Sequence, residues 1–285
     1  MRGYTYISRH YEKGDRIVIV GFSRGAYTAR ALAGLIAAQG LLGKHLTADK
    51  ERAYRYGAQA WYRYRQAKNP NTGVLQKLVE VMSDLPAFMS SNSLKKSDFV
   101  AVDQLAAVAV WDTVGAMGLP HYIRNPGVDA FKFTNTQLSP KVQKGFHAIA
   151  LDEQRIDFTP TLWDVADNVE QMIFAGAHAD VGGGYPGKAG QSGLSDIALE
   201  WMADRLASVG VRFVTPVYPT LAPDPLGCAH QPWLAFPFND PARAKPRRFP
   251  KGLQLHPSVS TRRGKKVKHD TTLAATLYAP ANWKF

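Results

Sequence analysis

The chain has 285 residues, 45% of them hydrophobic and 20% charged, which excludes a disordered polypeptide and suits one large domain spanning 1–285. A formal net charge of +12 favours anionic partners, and the single cysteine, Cys228, excludes an internal disulfide and a cysteine-rich metal site. No apolar run approaches the roughly 20 residues of a membrane helix, and the opening MRGYTYISRHYEKGD lacks a signal-peptide core, which leaves the cytoplasm or a leaderless export route.

TYISRHYEK reads as a helix leading into RIVIVGFSRGA. The apolar run of that second stretch lacks alternation, the pattern of a parallel strand buried on both faces. AYTARALAGLIAAQGLL then has helical spacing, with Ala26, Ala29, Ala33 and Ala37 on one side and Leu32, Leu35 and Ile36 beside them. Ser23 therefore sits at a strand-to-helix turn, where Gly21 and Gly25 are expected to remove side chains that would clash. This is the G-x-S-x-G pattern of a nucleophile elbow. The elbow lifts the Ser23 hydroxyl out of the sheet, and the helix N-terminus with the Arg24 N–H favours negative charge developing there. The plainer reading is a tight packing turn or a phosphate cradle.

Further along, DKERAYRYGAQAWYRYRQ (49–66) reads as a helix with Tyr54, Ala58, Trp61 and Tyr62 on one face, and 68–97 as mixed helix and loop. A second buried strand, Ala106 to Trp111, ends at Asp112-Thr113. FHAIALDEQRIDFTPTLW opens with the apolar run Ala148 to Leu151 and continues extended. A third strand, Gln171 to Ala175, ends in GAHADVGGGYP. The helix LSDIALEWMADRLASVG follows, with Ser195 or Asp196 in capping position. From Val214 onward Pro, Gly and basic residues dominate, the mark of a loop-rich part over about 214–285. Cys228, in PLGCAHQPW, lacks strand-turn-helix context and reads as a packing residue. Strands alternating with helices give an α/β fold with a largely parallel sheet.

Open α/β sheets gather chemistry at the carboxyl ends of their strands. Three strands here end in Ser23, Asp112 and His178, in the chain order Ser, Asp, His. A serine hydroxyl needs a base to take its proton, a near-neutral imidazole suits that task, and a buried carboxylate orients the ring. Asp112 alternatively caps the turn that follows it. His178 has His256 as a rival and Asp180 as an alternate acid; Gly182, Gly183 and Gly184 behind it let backbone approach a substrate. His147, His45 and His10 read as structural. A metal pair of His178 and Asp180 lacks a third ligand at recognisable spacing, so no cofactor is expected.

From Arg243 to Lys268 the chain carries ten basic residues and no acid. Such a run suits a solvated loop or an anionic membrane surface. No nucleic-acid motif accompanies it, and nucleic acid is the less favoured partner.

Together GFSRGAYTARALAGLI, VWDTVGAMGLP, ALDEQRIDFTPTLW, FAGAHADVGGGYP with LSDIALEWM, and LHPSV with YAPANW resemble the catalytic domain of type VI secretion lipase effectors, an α/β-hydrolase family. The resemblance runs from about Tyr11 to the C-terminus. It implies Ser23 as nucleophile, Asp112 as acid, His178 as base, and phospholipase A-type hydrolysis of a phospholipid or other ester through an acyl-enzyme. It also implies type VI export as one possible route. Family members usually carry early strands and an Asp-Gly-Thr motif upstream of the elbow, and this sequence starts one helix before it. An α/β-hydrolase-like sheet lacking its first strands, with a second polypeptide supplying them and the other oxyanion donor, is the corresponding expectation.

Two readings compete with a serine esterase. One is a catalytically inactive remnant that binds lipid or a partner. The other is a nucleotide-phosphate-binding α/β domain; GFSRGA lacks a P-loop lysine, and HADVGGGY departs from the dinucleotide fingerprint.

Overall fold

A computed structural model describes residues 1–68, 94–115, 136–187, 190–214, 221–270, 274–280 and 282. Helix α1 (Arg2–His10) precedes strand β1 (Val18–Phe22) and helix α2 (Arg24–Gln39). Then come β2 (Leu41–Leu42), α3 (Lys44–Thr47), α4 (Lys50–Lys68), β3 (Phe99–Val100) and β4 (Leu105–Trp111). Strands β5 (Val142–Ala150) and β6 (Val169–Phe174) lead to α5 (His178–Gly182) and α6 (Gly193–Ser208). The C-terminal part holds β7 (Gln254–Leu255), α7 (Pro257–Arg262), β8 (Lys266–Val267) and β9 (Thr276–Leu277).

Five strands form one parallel sheet in the order β1-β4-β5-β6-β7. Phe22 lies opposite Trp111, Trp111 opposite Ala148, and Ala148 opposite Met172, so the carboxyl ends of the first four strands share one rim of the sheet. The short pairs β2–β3 and β8–β9 are antiparallel. This is the expected α/β architecture.

The side chains of β4 split between two cores. Val108 and Val110 pack with Ile17, Ile19, Leu35 and Ile36 toward α1, α2 and α4. Ala107 and Ala109 pack with Phe146, Ile149 and the α6 residues Ile197 and Trp201 on the opposite face. Apolar burial on both sides accounts for the missing alternation in LAAVAVW. The alanines of α2 face the sheet as expected; Ala26, Ala29, Ala33 and Ala37 are all buried. Among the described residues β1 is an edge strand, and its Val20 is 55% exposed.

Several expectations need correction. Helix α4 buries Ala53, Gly57, Ala60 and Tyr64, while Tyr54 is exposed. Small residues win that face because α1 approaches closely: a Cβ on Gly57 would lie 3.0 Å from the Thr5 methyl. Helix α6 starts earlier than predicted, with Ser192 at the N-cap in place of Ser195 or Asp196. Asp196 instead accepts from the Ser192 hydroxyl at 3.0 Å. β5 runs from Val142 to Ala150, so the apolar run from Ala148 ends a longer strand, and the chain after it turns where extension was expected. Most of the 68–97 segment lies outside the described residues.

The basic run is not a uniformly solvated loop. Arg262 is fully buried and donates to the carbonyls of Pro225 and Gly227, each at 2.8 Å. Arg247 is buried as well, against the strand ends. Burying a guanidinium is costly unless its donors are satisfied; the fold supplies acceptors to both Nη groups of Arg247 and to Nη1 of Arg262, and among the described residues leaves Arg247 Nε and Arg262 Nε and Nη2 unpaired.

Candidate active site

β1 ends at Phe22, and the next residue, Ser23, has φ 60° and ψ −126° before α2 begins. Among the described residues the non-glycine positions with positive φ are Ser23 and Asp112, the latter at φ 36°. Each such conformation costs of order 1–3 kcal/mol and persists only where neighbours enforce it. The Ser23 N–H donates to the Trp111 carbonyl at 3.0 Å, which continues the β1–β4 pairing by one residue. That sets Ser23 beside Asp112, the residue following Trp111. The Ser23 hydroxyl does not cap α2.

The two glycines of the elbow play different parts. A Cβ on Gly21 would sit 2.5 Å from the Gly25 carbonyl oxygen and 2.8 Å from the Ala26 nitrogen, so Gly21 permits the turn. A Cβ on Gly25 would meet nothing within 4 Å, so the expected clash there does not exist.

Asp112 is fully buried and its carboxylate accepts four hydrogen bonds. Oδ1 accepts from the Ala150 N–H at 2.9 Å and from Arg247 Nη1 at 2.7 Å. Oδ2 accepts from Arg247 Nη2 at 2.9 Å and from His178 Nδ1 at 2.5 Å. Burial pushes the carboxyl up, but the Arg247 charge, with hydrogen bonds from His178 and Arg247, holds it far below the usual carboxylate range. An ionised carboxylate only accepts, so the proton of this bond sits on His178 Nδ1, and in the neutral ring Nε2 is the lone pair.

His178 opens α5 directly after β6, which brings it to the same rim. Its backbone N–H donates to Glu153 at 3.2 Å. Burial raises the Glu153 carboxyl, but the hydrogen bonds and charge of Arg155 more than compensate and lower it. The imidazole lies between Phe22, 4.5 Å away between ring centroids, and Phe158 at 4.9 Å. Phe22 precedes Ser23 and also packs on Gly182, where a Cβ would overlap its ring. Among the described residues no hydrogen bond joins Ser23 to His178. The pair Asp112–His178 is bonded, and Ser23 stands at the neighbouring strand end.

The alternates lie elsewhere. Asp180 accepts from His230 Nδ1 at 2.6 Å and from the Ala177 and His230 N–H groups, so it serves a separate buried pair. Tyr185 stacks on the His230 ring. His256 caps α7 and stacks on Phe174. Gly182 ends α5, with Gly183 and Gly184 at φ 81° and 120° after it. Arg24 is the first residue of α2 and is exposed.

His147 matches its structural reading. Nε2 accepts from the Thr113 N–H at 3.1 Å and Nδ1 contacts Gln171, while burial and then the Arg30 charge push it down to about 3. Cys228 is half-buried, its thiol directed at the Ala229 carbonyl.

Sequence reasoning missed Arg247, Glu153, Phe158 and His230. Arg247 was one of ten bases in a run, and no local signal distinguishes it from the exposed Arg248 beside it.

A Saccharomyces cerevisiae protein named "Uncharacterized protein YEL023C" is 30% identical over 155 residues, covering 54% of this chain and 20% of its own length. An uncharacterized protein of Pseudomonas aeruginosa with a solved crystal structure is 19% identical, covers 73% of this chain and 26% of its own, and superposes with TM-score 0.40. The Tle1 effector bound to the VgrG spike of the Type 6 secretion system is 23% identical, with coverage 60% and 25% and TM-score 0.29. The chain thus spans 20–26% of the length of these relatives. The family described as "T6SS, Phospholipase effector Tle1-like, catalytic domain" matches residues 1–205, most of the strand ends above included, and the chain belongs to it.

Proposed function

We propose that this chain is a serine-dependent carboxylic ester hydrolase of phospholipase type. The observation that carries the reading is the 2.5 Å hydrogen bond between Asp112 and His178 at the rim where Ser23 occupies a strained elbow. Substrate entry draws the Ser23 hydroxyl onto His178 Nε2, since such contacts commonly tighten only when substrate binds. Nε2 takes the hydroxyl proton as Oγ attacks the ester carbonyl. The Arg24 N–H, at the start of α2, stabilises the oxyanion. The imidazolium then protonates the leaving alcohol, and a water activated by His178 releases the acyl group. Gly183 and Gly184 let the substrate pass close to backbone, while Gly182 makes room for the Phe22 ring.

Lipid is the favoured carrier of the ester. Ile156, Leu234 and Phe236 are exposed apolar residues, and Phe236 is 88% accessible. Their segments meet over the site, because Phe238 packs edge-on against Phe158, which touches His178. Exposed Lys245, Arg248 and Lys251 follow in the 243–268 run and suit an anionic membrane surface.

The test is fluorophosphonate labelling together with fatty-acid release from phospholipid vesicles. Wild type is labelled at Ser23, and Ser23→Ala loses labelling and at least about 10³-fold in turnover. A folded wild type that neither labels nor hydrolyses rejects the enzyme.

A second reading, a non-catalytic module that binds lipid or a second polypeptide, is favoured by the β1 edge, unpaired among the described residues, with Val20 exposed. It predicts vesicle or partner binding unchanged by Ser23→Ala, without any ester hydrolysis.

A further inference from the structure

We propose that Arg247 is a positioning residue of this site: its guanidinium grips both oxygens of Asp112 and aims the carboxylate at His178 Nδ1. The proposal rests on the reading of Ser23, His178 and Asp112 given above. It also extends the working site past residue 205, where the family match ends.

The contact is two-pronged, Nη1 to Oδ1 at 2.7 Å and Nη2 to Oδ2 at 2.9 Å. A guanidinium and a carboxylate joined in this way share a plane, and a point charge such as lysine cannot impose that plane. The Ala150 N–H takes a further position on Oδ1. Oδ2 is left with one direction for an outside donor, and His178 Nδ1 occupies it. Without the fork, the only bond apart from the one to His178 that defines the rotation of this carboxylate, on a residue at φ 36°, is the one from Ala150.

Arg247 is not placed to receive a substrate anion. The other hydrogens of its two Nη groups go to protein, from Nη1 to the Ala150 carbonyl at 2.7 Å and from Nη2 to the Phe158 carbonyl, while Nε is buried without a partner among the described residues. The side chain is 4% exposed. It also leaves the Asp112–Arg247 pair electrically neutral, so its service to His178 is orientation and hydrogen-bond acceptance.

The backbone that delivers Arg247 is anchored in its turn. Ala244 bridges Arg155 in antiparallel fashion, the Lys245 N–H donates to the Gln154 carbonyl at 2.7 Å, and Arg243 pairs with Asp157. The segment 243–247 is thus laced to 154–158, whose Phe158 also forms a wall of the His178 pocket.

The experiment uses the full chain, a fluorophosphonate probe and a soluble p-nitrophenyl ester, with circular dichroism on every variant. Arg247→Lys keeps the charge and loses the fork; it folds, retains KM, and loses about 10-fold or more in kcat and labelling rate, as misplacement of a reacting group by about 1 Å does. A double-mutant cycle then separates positioning from structure. Arg247→Gln lowers labelling in the wild-type background but adds nothing to Asp112→Asn, because its effect runs through that carboxylate. The neutral pair Asp112→Asn with Arg247→Gln also removes the unpaired buried charge that would unfold a single variant. Labelling of Arg247→Lys at the wild-type rate overturns the proposal, as does an equal loss from Arg247→Gln in both backgrounds. Absence of Ser23 labelling in folded wild type is a different result: it rejects the hydrolase reading itself and takes the proposal with it.

Discussion

Two acids near the strand ends respond to their surroundings in opposite ways. Asp112 is held ionised by Arg247 and His178, so its contribution to stability is present above the ordinary carboxylate range and lost only as pH falls below it. Asp152 accepts from the Gly176 N–H and the Tyr278 hydroxyl, each at 2.7 Å, yet burial dominates and pushes it up to about 6. Folded protein therefore keeps a proton on Asp152 that the unfolded chain has released between about pH 4 and 6. Stability declines as pH rises through that window, by up to about 3 kcal/mol for a shift of this size. Asp152→Asn keeps an oxygen acceptor and removes the titration. Urea unfolding at pH 4.5, 5.5 and 7.5 is expected to show a flatter pH dependence for the variant and greater stability than wild type at 7.5. An unchanged slope contradicts the assignment.

At the scale of elements, the elbow is where strand and helix meet at a fixed angle. The glycine motif looked symmetrical in sequence, but Gly21 faces the backbone of Gly25 and Ala26 whereas Gly25 faces open space. Gly21→Ala forces β1 and α2 apart and is expected to destabilise by about 1–3 kcal/mol, with loss of fluorophosphonate labelling. Gly25→Ala is expected to fold at least as well as wild type, since alanine favours helix by up to about 1 kcal/mol. Thermal melts of the two variants check this, and equal damage from both refutes the asymmetry. Helix α4 teaches a related lesson. Its aromatic residues suggested the buried face, but Ala53, Gly57 and Ala60 hold it because neighbouring helices approach within the reach of a methyl group.

For the whole molecule, the C-terminal part closes the site. Arg247 binds Asp112, His230 binds Asp180 and Tyr278 binds Asp152, so three acids receive partners from residues after 205. The same part exposes Leu234 and Phe236, and its Phe238 packs on Phe158, which touches the His178 ring. Replacing both by serine is expected to weaken sedimentation with phosphatidylglycerol vesicles by about 10-fold or more, the scale for one large apolar side chain leaving a nonpolar environment. Raising salt is expected to weaken it further, through the exposed basic residues. Binding that ignores both changes removes this face from consideration.

Local pattern was enough to place β1, β4 and β6 to within a few residues, to mark Ser23, Asp112 and His178 at their ends, and to imply a parallel sheet. Those features are legible because burial on two faces and a strand-to-helix turn each demand particular neighbours along the chain. Which acid His178 would meet, Asp112 or Asp180, was open, since a pairing across 66 residues leaves no trace in local spacing. Nor could Arg247 be told apart from the nine other bases of its run. Its burial exists only because folding brings the Asp112 carboxylate and two backbone carbonyls to one point, where the attraction of fixed partners outweighs the loss of water around the charge.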